Sequence, residues 1–339
     1  MGAIAKVQIR FYQKTMGRRH YLAQFIGAAV GLTWSTHAMA QIVSSNLTSL
    51  QLLPPETLSM IAIASPADMT SADPAPASET ILTAEKIAEL DAYLDAHEQM
   101  GRLSGSLMFA YGDQPAFNRS YGLANREHSV VNTSETKFRI GSITKQFTAV
   151  AILQLQEQGL LDIHAPISTY LPDYPAGSRI TVHHLLTHTS GIPEYLDGEV
   201  FPDILEWMRL PSTVEQLIGR FKDLPLEFDP GERFKYSNSG YLLLTQILET
   251  VSEQSYADYM QTHVFAPLGM TNTGYEIPKS VIPGLAQGYT FLGGELYLQA
   301  EPIDMSLPQG AGGLYSTLQD LAIWTDWLHG AFVLNQPLL

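Results

Sequence analysis

Apolar residues recur at helical spacing directly after Gly141. They are Ile143, Phe147, Val150, Ala151 and Leu155. Because residues three or four apart share one face of a helix, this spacing predicts a buried helix from Ser142 to Gln158 that ends before Gly159. We interpret the rest of the chain around this segment.

Glycine and proline separate the other periodic stretches of the chain. A helix capped by Thr83 is predicted to end at Gly101, and a capping-box pattern that begins at Ser212 predicts another helix. Further helices are predicted over residues 239–254, 255–265 and 316–329, and β-hairpins over residues 106–121 and 288–297. The pattern is therefore mostly helical between the two hairpins.

The first 40 residues differ from the rest in charge. They contain five basic residues and no acidic one, then a moderately apolar stretch over residues 21–34 and Ala-Met-Ala before Gln41. This order is typical of an export signal and predicts a periplasmic or secreted protein. A membrane anchor is the alternative, but polar residues interrupt the run before it reaches the roughly 20 apolar residues that a span needs. We expect no stable membrane span once the signal is removed.

Residues 41–80 are rich in serine, alanine and proline and show no sustained period. Such a composition is typical of a flexible linker. The folded domain is therefore expected to occupy residues 81–339.

Acidic residues outnumber basic ones along the chain. The count is 34 Asp and Glu against 19 Lys and Arg, a net charge of −15. Removal of the signal would take away five basic residues and no acid, which leaves 14 minus 34, or −20. A chain this acidic is not expected to bind nucleic acid. It has no cysteine, which excludes disulfides, thiolate metal ligands and a cysteine nucleophile.

Ser142 and Lys145 lie three residues apart at the start of the predicted helix, so they share a face. Unpaired N–H groups and the positive end of the helix dipole at this position favour an alkoxide and disfavour a second positive charge on the amine. A hydroxyl and a basic amine at this spacing form a candidate nucleophile and base. The alternative is that Ser142 only caps the helix. A second Ser-x-x-Lys, over residues 134–137, has no apolar helix behind it and is interpreted as a loop.

Tyr236-Ser237-Asn238 is the only Tyr-x-Asn in the chain. Alone, a tyrosine at such a place most often packs and an asparagine forms a turn. The motif gains weight because it follows the Ser142 motif by about 90 residues, across a helical stretch.

These motifs and longer runs resemble the serine β-lactamase and penicillin-recognising family, in particular class C β-lactamases, D-alanyl-D-alanine carboxypeptidases and related esterases. The runs that carry the resemblance are TKFRIGSITKQFT (136–148), ITVHHLLTHTSGIP (180–193), PLGM (267–270) and GGLYST (312–317). The resemblance covers roughly residues 100 to 335. It implies an α/β fold of the α+β type, in which helices flank an antiparallel sheet and a mostly helical subdomain is added.

The resemblance also implies roles for four residues. Ser142 would be the acylated nucleophile, Lys145 its base or proton relay, Tyr236 a proton-transfer partner, and Asn238 the residue that binds the substrate's amide. The substrate would be a peptidoglycan-like peptide, a β-lactam or an ester, and no cofactor is implied. A phenol beside the positive charge of Lys145 is expected to have a lowered pKa. The N–H of Ser142 would supply one half of an oxyanion hole.

The family's third motif, Lys-Thr-Gly or His-x-Gly, does not occur in these residues. By resemblance it belongs some tens of residues after Gly313, so we expect that the domain is incomplete at its C-terminus, without the strands that complete its sheet. A non-catalytic or truncated binding module is therefore the alternative to a hydrolase.

Two other groups of residues offer alternative sites. His184 and His188 lie four residues apart, as in zinc hydrolases, but Leu185 stands where those enzymes carry a glutamate, and no metal is expected. Ser190 is a second candidate nucleophile. No Gly-x-Ser-x-Gly surrounds any serine, which argues against an α/β-hydrolase.

Overall fold

The computed structural model describes residues 83–111, 114–294 and 296–330 of the chain. In chain order the helices and strands are α1 (Ala84–Gln99), β1 (Gly105–Tyr111), β2 (Gln114–Tyr121), β3 (Leu123–Asn125), β4 (Val130–Val131), β5 (Phe138–Arg139), α2 (Thr144–Glu157), α3 (Val182–Leu186), α4 (Ile204–Trp207), α5 (Val214–Gly219), α6 (Asn238–Ser252), α7 (Tyr256–Met260), α8 (Ala266–Leu268), β6 (Gly274–Tyr275), β7 (Tyr289–Gly293), β8 (Leu296–Gln299), α9 (Gln309–Gly312), β9 (Leu314–Ser316) and α10 (Leu318–Gly330). The export signal predicted over residues 1–40 and the flexible linker predicted over residues 41–80 lie outside the described residues.

Two apolar helices, α2 and α6, form the centre of the main hydrophobic core. Nearly every side chain of α2 from Thr144 to Leu155 is buried, and so are most of those in the first three turns of α6. The ring of Phe147 stacks on that of Trp324 in α10, with 3.9 Å between the ring centroids. Burial of a side chain of this size contributes about 2 kcal/mol to stability. The start of α2 is therefore held in a fixed place.

A three-stranded antiparallel sheet lies beside the start of α2. Its order is β5, β9, β6, with Tyr315 opposite Arg139 on one side and Gly274 on the other. The N–H of Leu314 in β9 donates to Oγ1 of Thr144, the first residue of α2, at 3.2 Å. This hydrogen bond therefore holds the first residue of α2 against strand β9. The other strands form three two-stranded antiparallel sheets: β1 with β2, β3 with β4, and β7 with β8.

Most predicted elements are present, with shifted ends. Thr83 caps α1 as expected, and both hairpins form. Residues 134–137 are a turn that leads into a bridge, as interpreted. The predicted cap at Ser212 is wrong, because Thr213 caps α5 and exchanges hydrogen bonds with Gln216. The helix predicted over residues 255–265 changes at Gln261 into a π-helical turn.

The length and hydropathy of each helix determine whether it could cross a membrane. Within the described residues, no helix is both long enough and apolar enough to span a bilayer.

The short helix α9 packs between α2 and α6 through a glycine. The N–H of Gly310 donates to Thr245 Oγ1, and its carbonyl accepts from Thr148 Oγ1 at 2.7 Å. A Cβ on Gly310 would lie 2.4 Å from Thr245 Oγ1 and 3.0 Å from Thr148 Oγ1. The two helices can approach α9 this closely only because residue 310 has no side chain.

We expect Gly310→Ala to lower the free energy of unfolding by about 1–3 kcal/mol, because the added methyl overpacks a buried contact. Urea denaturation followed by circular dichroism measures the change. Gly219→Ala is the matched control, because a Cβ there meets no atom within 4 Å. Equal midpoints for the two variants would contradict the packing described for α9.

Candidate active site

The backbone around Ser142 turns tightly before α2 begins. Gly141 has a φ of +53°, a left-handed conformation that glycine adopts without strain. Residues Gly141–Ile143 then form a 3₁₀ turn, and α2 starts at Thr144. The predicted helix start at Ser142 is therefore wrong by two residues. The 3₁₀ turn still places Ser142 Oγ 3.3 Å from Lys145 Nζ, so the two side chains meet as the spacing predicted.

Lys145 is fully buried, which is rare for a lysine. Its Nζ lies 2.7 Å from Oδ1 of Asn238 in α6 and 2.7 Å from the backbone oxygen of Ala311 in α9. Burial lowers the pKa of Lys145 to about 7, and the nearby carboxylate of Glu194 opposes part of that shift. The amine is therefore half neutral near pH 7 and mostly neutral above it.

The three neighbours of Lys145 Nζ differ in what they can offer. The carbonyl oxygens of Asn238 and Ala311 can only accept hydrogen bonds, whereas the Ser142 hydroxyl can donate or accept. A neutral amine has two N–H groups and one lone pair. When both N–H groups go to the carbonyls, the lone pair is left for the hydroxyl proton of Ser142. The geometry therefore suits Lys145 as the acceptor of that proton.

Tyr236 lies in the irregular segment that leads into α6, two residues before that helix begins. Its hydroxyl donates to Ser142 Oγ at 2.7 Å, and its ring lies against that of His188, with 4.7 Å between centroids. The prediction that the phenol's pKa is lowered is wrong. Burial raises the pKa of Tyr236 to about 12, the Glu194 carboxylate acts in the same direction, and the Ser142 hydrogen bond opposes them. Tyr236 therefore keeps its proton and acts as a donor.

Asn238 is the first residue of α6, and both ends of its side-chain amide are engaged. Oδ1 accepts from Lys145 Nζ, and Nδ2 donates to Glu194 Oε1 at 3.1 Å. In this structure Asn238 connects Lys145 to Glu194. Its contact with a substrate amide stays a prediction.

Sequence reasoning missed Glu194. It is one residue beyond the run ITVHHLLTHTSGIP and 44 residues from Asn238, and the only signal for it was a carboxylate next to that run. Burial raises the pKa of Glu194, while hydrogen bonds from Asn238 and Leu196 oppose the shift. These donors favour the charged form of the carboxylate.

The histidines of the ITVHHLLTHTSGIP run lie in α3 and in the turn that follows it, beside the site. His184 Nδ1 accepts from the N–H of Thr181 and completes the capping box of α3. His188 lies beyond that helix at a φ of +58°, and its Nδ1 accepts from the N–H of Ser237 at 3.1 Å. The described part of the chain has no group of three or more histidine, aspartate or glutamate residues that could hold a metal ion. Ser190 is buried, and its Oγ accepts from the N–H of Ile192.

Comparisons with known proteins show similarity to a family model and to several penicillin-binding proteins. A sequence-family model described as Beta-lactamase matches residues 84–339. The chain is 34% identical to PbpX of Bacillus subtilis (strain 168) over 243 residues, which are 72% of this chain and 58% of PbpX. This chain thus spans little more than half the length of that relative.

Two solved structures show the same fold. The penicillin binding protein from Bacillus halodurans is 33% identical, with a TM-score of 0.61 and coverage of 70% of this chain and 72% of that one. A D-stereospecific amidohydrolase from Streptomyces sp. is 26% identical, with a TM-score of 0.61 and coverage of 71% and 72%.

Proposed function

Because this chain belongs to the β-lactamase family, which includes serine hydrolases, we propose that it cleaves an amide, ester or β-lactam bond through an acyl-enzyme on Ser142. The family and the α/β fold predicted from the sequence are confirmed. The observation that carries the proposal is the position of Ser142 Oγ, which lies within hydrogen-bond distance of both Lys145 Nζ and Tyr236 OH.

In the proposed acylation step, Ser142 Oγ attacks the carbonyl carbon of the substrate while Lys145 Nζ takes the hydroxyl proton. The new C–O bond forms as the carbonyl π pair moves to oxygen, where the N–H of Ser142 would donate to it. The tetrahedral intermediate then expels the leaving group, which needs a proton. Tyr236 supplies it and regains one from the Lys145 ammonium, so that proton balance is kept.

Hydrolysis of the acyl-enzyme would run the same transfers in reverse, with water as the nucleophile. The proton goes from water to the amine, and Ser142 Oγ leaves with a proton. The amidohydrolase neighbour supports an acyl amide as one substrate class. Esters and β-lactams would also acylate Ser142. The proposed mechanism therefore does not distinguish the three substrate classes, and the experiment below does.

The test is covalent labelling of the full chain with a fluorophosphonate and, separately, with a fluorescent penicillin. Intact mass spectrometry followed by peptide mapping is expected to show one adduct, on Ser142. Labelling at another serine would contradict the proposed nucleophile. A folded chain that binds penicillin reversibly and forms no adduct would support the binding module instead of the hydrolase.

We expect Tyr236→Phe to slow acylation by poor leaving groups more than by good ones. The variant keeps the ring contact with His188 but loses the hydroxyl that donates to Ser142 Oγ. Loss of a proton donor costs about 10²-fold when the leaving group must be protonated. Rates with an anilide and a 4-nitrophenyl ester of the same acyl group measure the difference, because nitrophenolate needs no proton to leave. An equal loss with both substrates would contradict the donor role of Tyr236.

A further inference from the structure

Glu194 is a partly buried residue whose carboxylate accepts hydrogen bonds from three N–H groups. The backbone N–H of Asn238 donates to Oε2 at 2.6 Å, Asn238 Nδ2 donates to Oε1 at 3.1 Å, and the N–H of Leu196 donates to Oε1 at 3.2 Å. Two of the three donors come from one residue, on a helix that is distant in sequence. The carboxylate therefore binds both the backbone and the side chain of Asn238.

These two hydrogen bonds determine the orientation of the Asn238 side-chain amide. A carboxylate can only accept, so the NH2 end of the amide must face Glu194. The carbonyl end then faces Lys145 Nζ, at 2.7 Å. Turned by 180°, the amide would place its oxygen against the carboxylate, where both groups are acceptors, and its NH2 against the amine, where it would donate to the lone pair that Ser142 needs.

We propose that Glu194 is a positioning residue that fixes the orientation of the Asn238 amide. With the amide oxygen held towards Lys145, the amine donates one N–H to that oxygen and its lone pair points to Ser142. The inference rests on the function proposed above and adds a residue to it. Glu194 reaches the nucleophile only through Asn238 and Lys145, with no contact of its own to Ser142.

The charges around Lys145 give the proposal a second readout. Among the described residues, the titratable groups that face the amine are the Glu194 carboxylate and the phenols of Tyr236 and Tyr241, whose rings lie 4.7 Å and 5.4 Å from Nζ. Burial raises the pKa of both phenols, so neither is charged near neutral pH. Glu194 is the one negative charge in this set. Its removal should make Lys145 lose its proton at lower pH.

The test variant is Glu194→Gln. One carboxylate oxygen becomes an NH2 group, which must face a donor of Asn238. The Asn238 side chain can accept a hydrogen bond from this new NH2 group only if its amide turns by 180°. The NH2 of Asn238 then faces Lys145 and competes with Ser142 for the lone pair of the amine. We expect acylation of Ser142, measured above the midpoint of the pH profile, to fall about 10- to 100-fold, as for a misoriented catalytic group. The midpoint should lie about one pH unit lower, because an attractive charge is gone.

The midpoint is also read without activity. The chain is labelled with ¹³Cε-lysine, the Lys145 signal is assigned by its absence in Lys145→Met, and the chemical shift is titrated by NMR. Glu227→Gln is the matched control, because Glu227 is paired with Lys235 and has no hydrogen bond to Asn238 or Lys145. It should leave both the rate and the titration unchanged.

Slower acylation together with a lower Lys145 midpoint supports the proposal. An unchanged rate overturns it, and so does a slower rate with an unchanged midpoint, since a merely structural defect would give that result. If the glutamine variant does not fold, Glu194→Asp takes its place. The shorter acid keeps the charge but retracts from Asn238, so the rate should fall while the midpoint stays, and a wild-type rate overturns the proposal. A wild-type chain that forms no adduct removes the proposed hydrolase, while a lower midpoint in Glu194→Gln would still establish the coupling.

Discussion

Ser142→Ala is expected to abolish covalent labelling and to lower hydrolysis by roughly 10⁶-fold, the loss seen when a serine nucleophile is removed from its catalytic group. The substitution removes the one oxygen that both Lys145 Nζ and Tyr236 OH contact. The fold should persist, because Ser142 lies in the 3₁₀ turn before α2 and its side chain is only partly buried there. Intact mass after fluorophosphonate treatment, with circular dichroism on the same sample, measures both.

Ser134→Ala is the matched control for this experiment. Ser134 belongs to the second Ser-x-x-Lys, which the structure places in a turn. Its variant should be labelled at the wild-type rate. An adduct that persists in Ser142→Ala would show that another residue is the nucleophile.

Lys145→Met should slow acylation by about 10²- to 10⁴-fold, the range for loss of a general base. Methionine is unbranched and fills a similar volume, so the core around the buried amine should close with little rearrangement. In the wild type, acylation should rise as pH increases through about 7, because burial lowers the pKa of Lys145 to about 7 and only the neutral amine accepts a proton. The variant should lose this step, leaving a slow reaction that rises with hydroxide concentration.

Stopped-flow acylation across the pH range separates these profiles. Lys137→Met, in the second Ser-x-x-Lys, controls for loss of a lysine elsewhere in the same region and should keep the wild-type profile. A Lys145→Met chain that retains the step near pH 7 would exclude this amine as the base.

The sequence predicted the elements well where periodicity and caps were strong. Thr83 and the apolar spacing behind it give α1, and the spacing of Phe147 and its neighbours gives α2. It failed where two local solutions compete. Thr213 caps α5 in place of Ser212 because Gln216 lies three residues further on and returns the hydrogen bond, whereas the N–H of Ser212 is bound by Ser306, which is 94 residues away in sequence.

The site was predicted in part for a similar reason. Ser142, Lys145, Tyr236 and Asn238 are found together, and these four residues belong to two short motifs that the sequence shows. The pKa of Tyr236 was predicted in the wrong direction because burial has the largest effect on it, and burial depends on the tertiary fold. Glu194 was missed because no local pattern links a loop carboxylate to an amide 44 residues later.

The buried amine of Lys145 also has a thermodynamic consequence. An unfolded lysine keeps its proton up to a pKa near 10.5, while the folded one loses it at about 7, a difference that corresponds to roughly 5 kcal/mol. The folded state binds fewer protons between these values, so this cost is present in full below pH 7 and disappears as pH rises towards 10.5. At neutral pH the hydrophobic core must therefore outweigh a destabilising group at its own centre. The native state becomes more resistant to unfolding in mild alkali, because protonation of this one residue favours the unfolded chain less and less as pH rises.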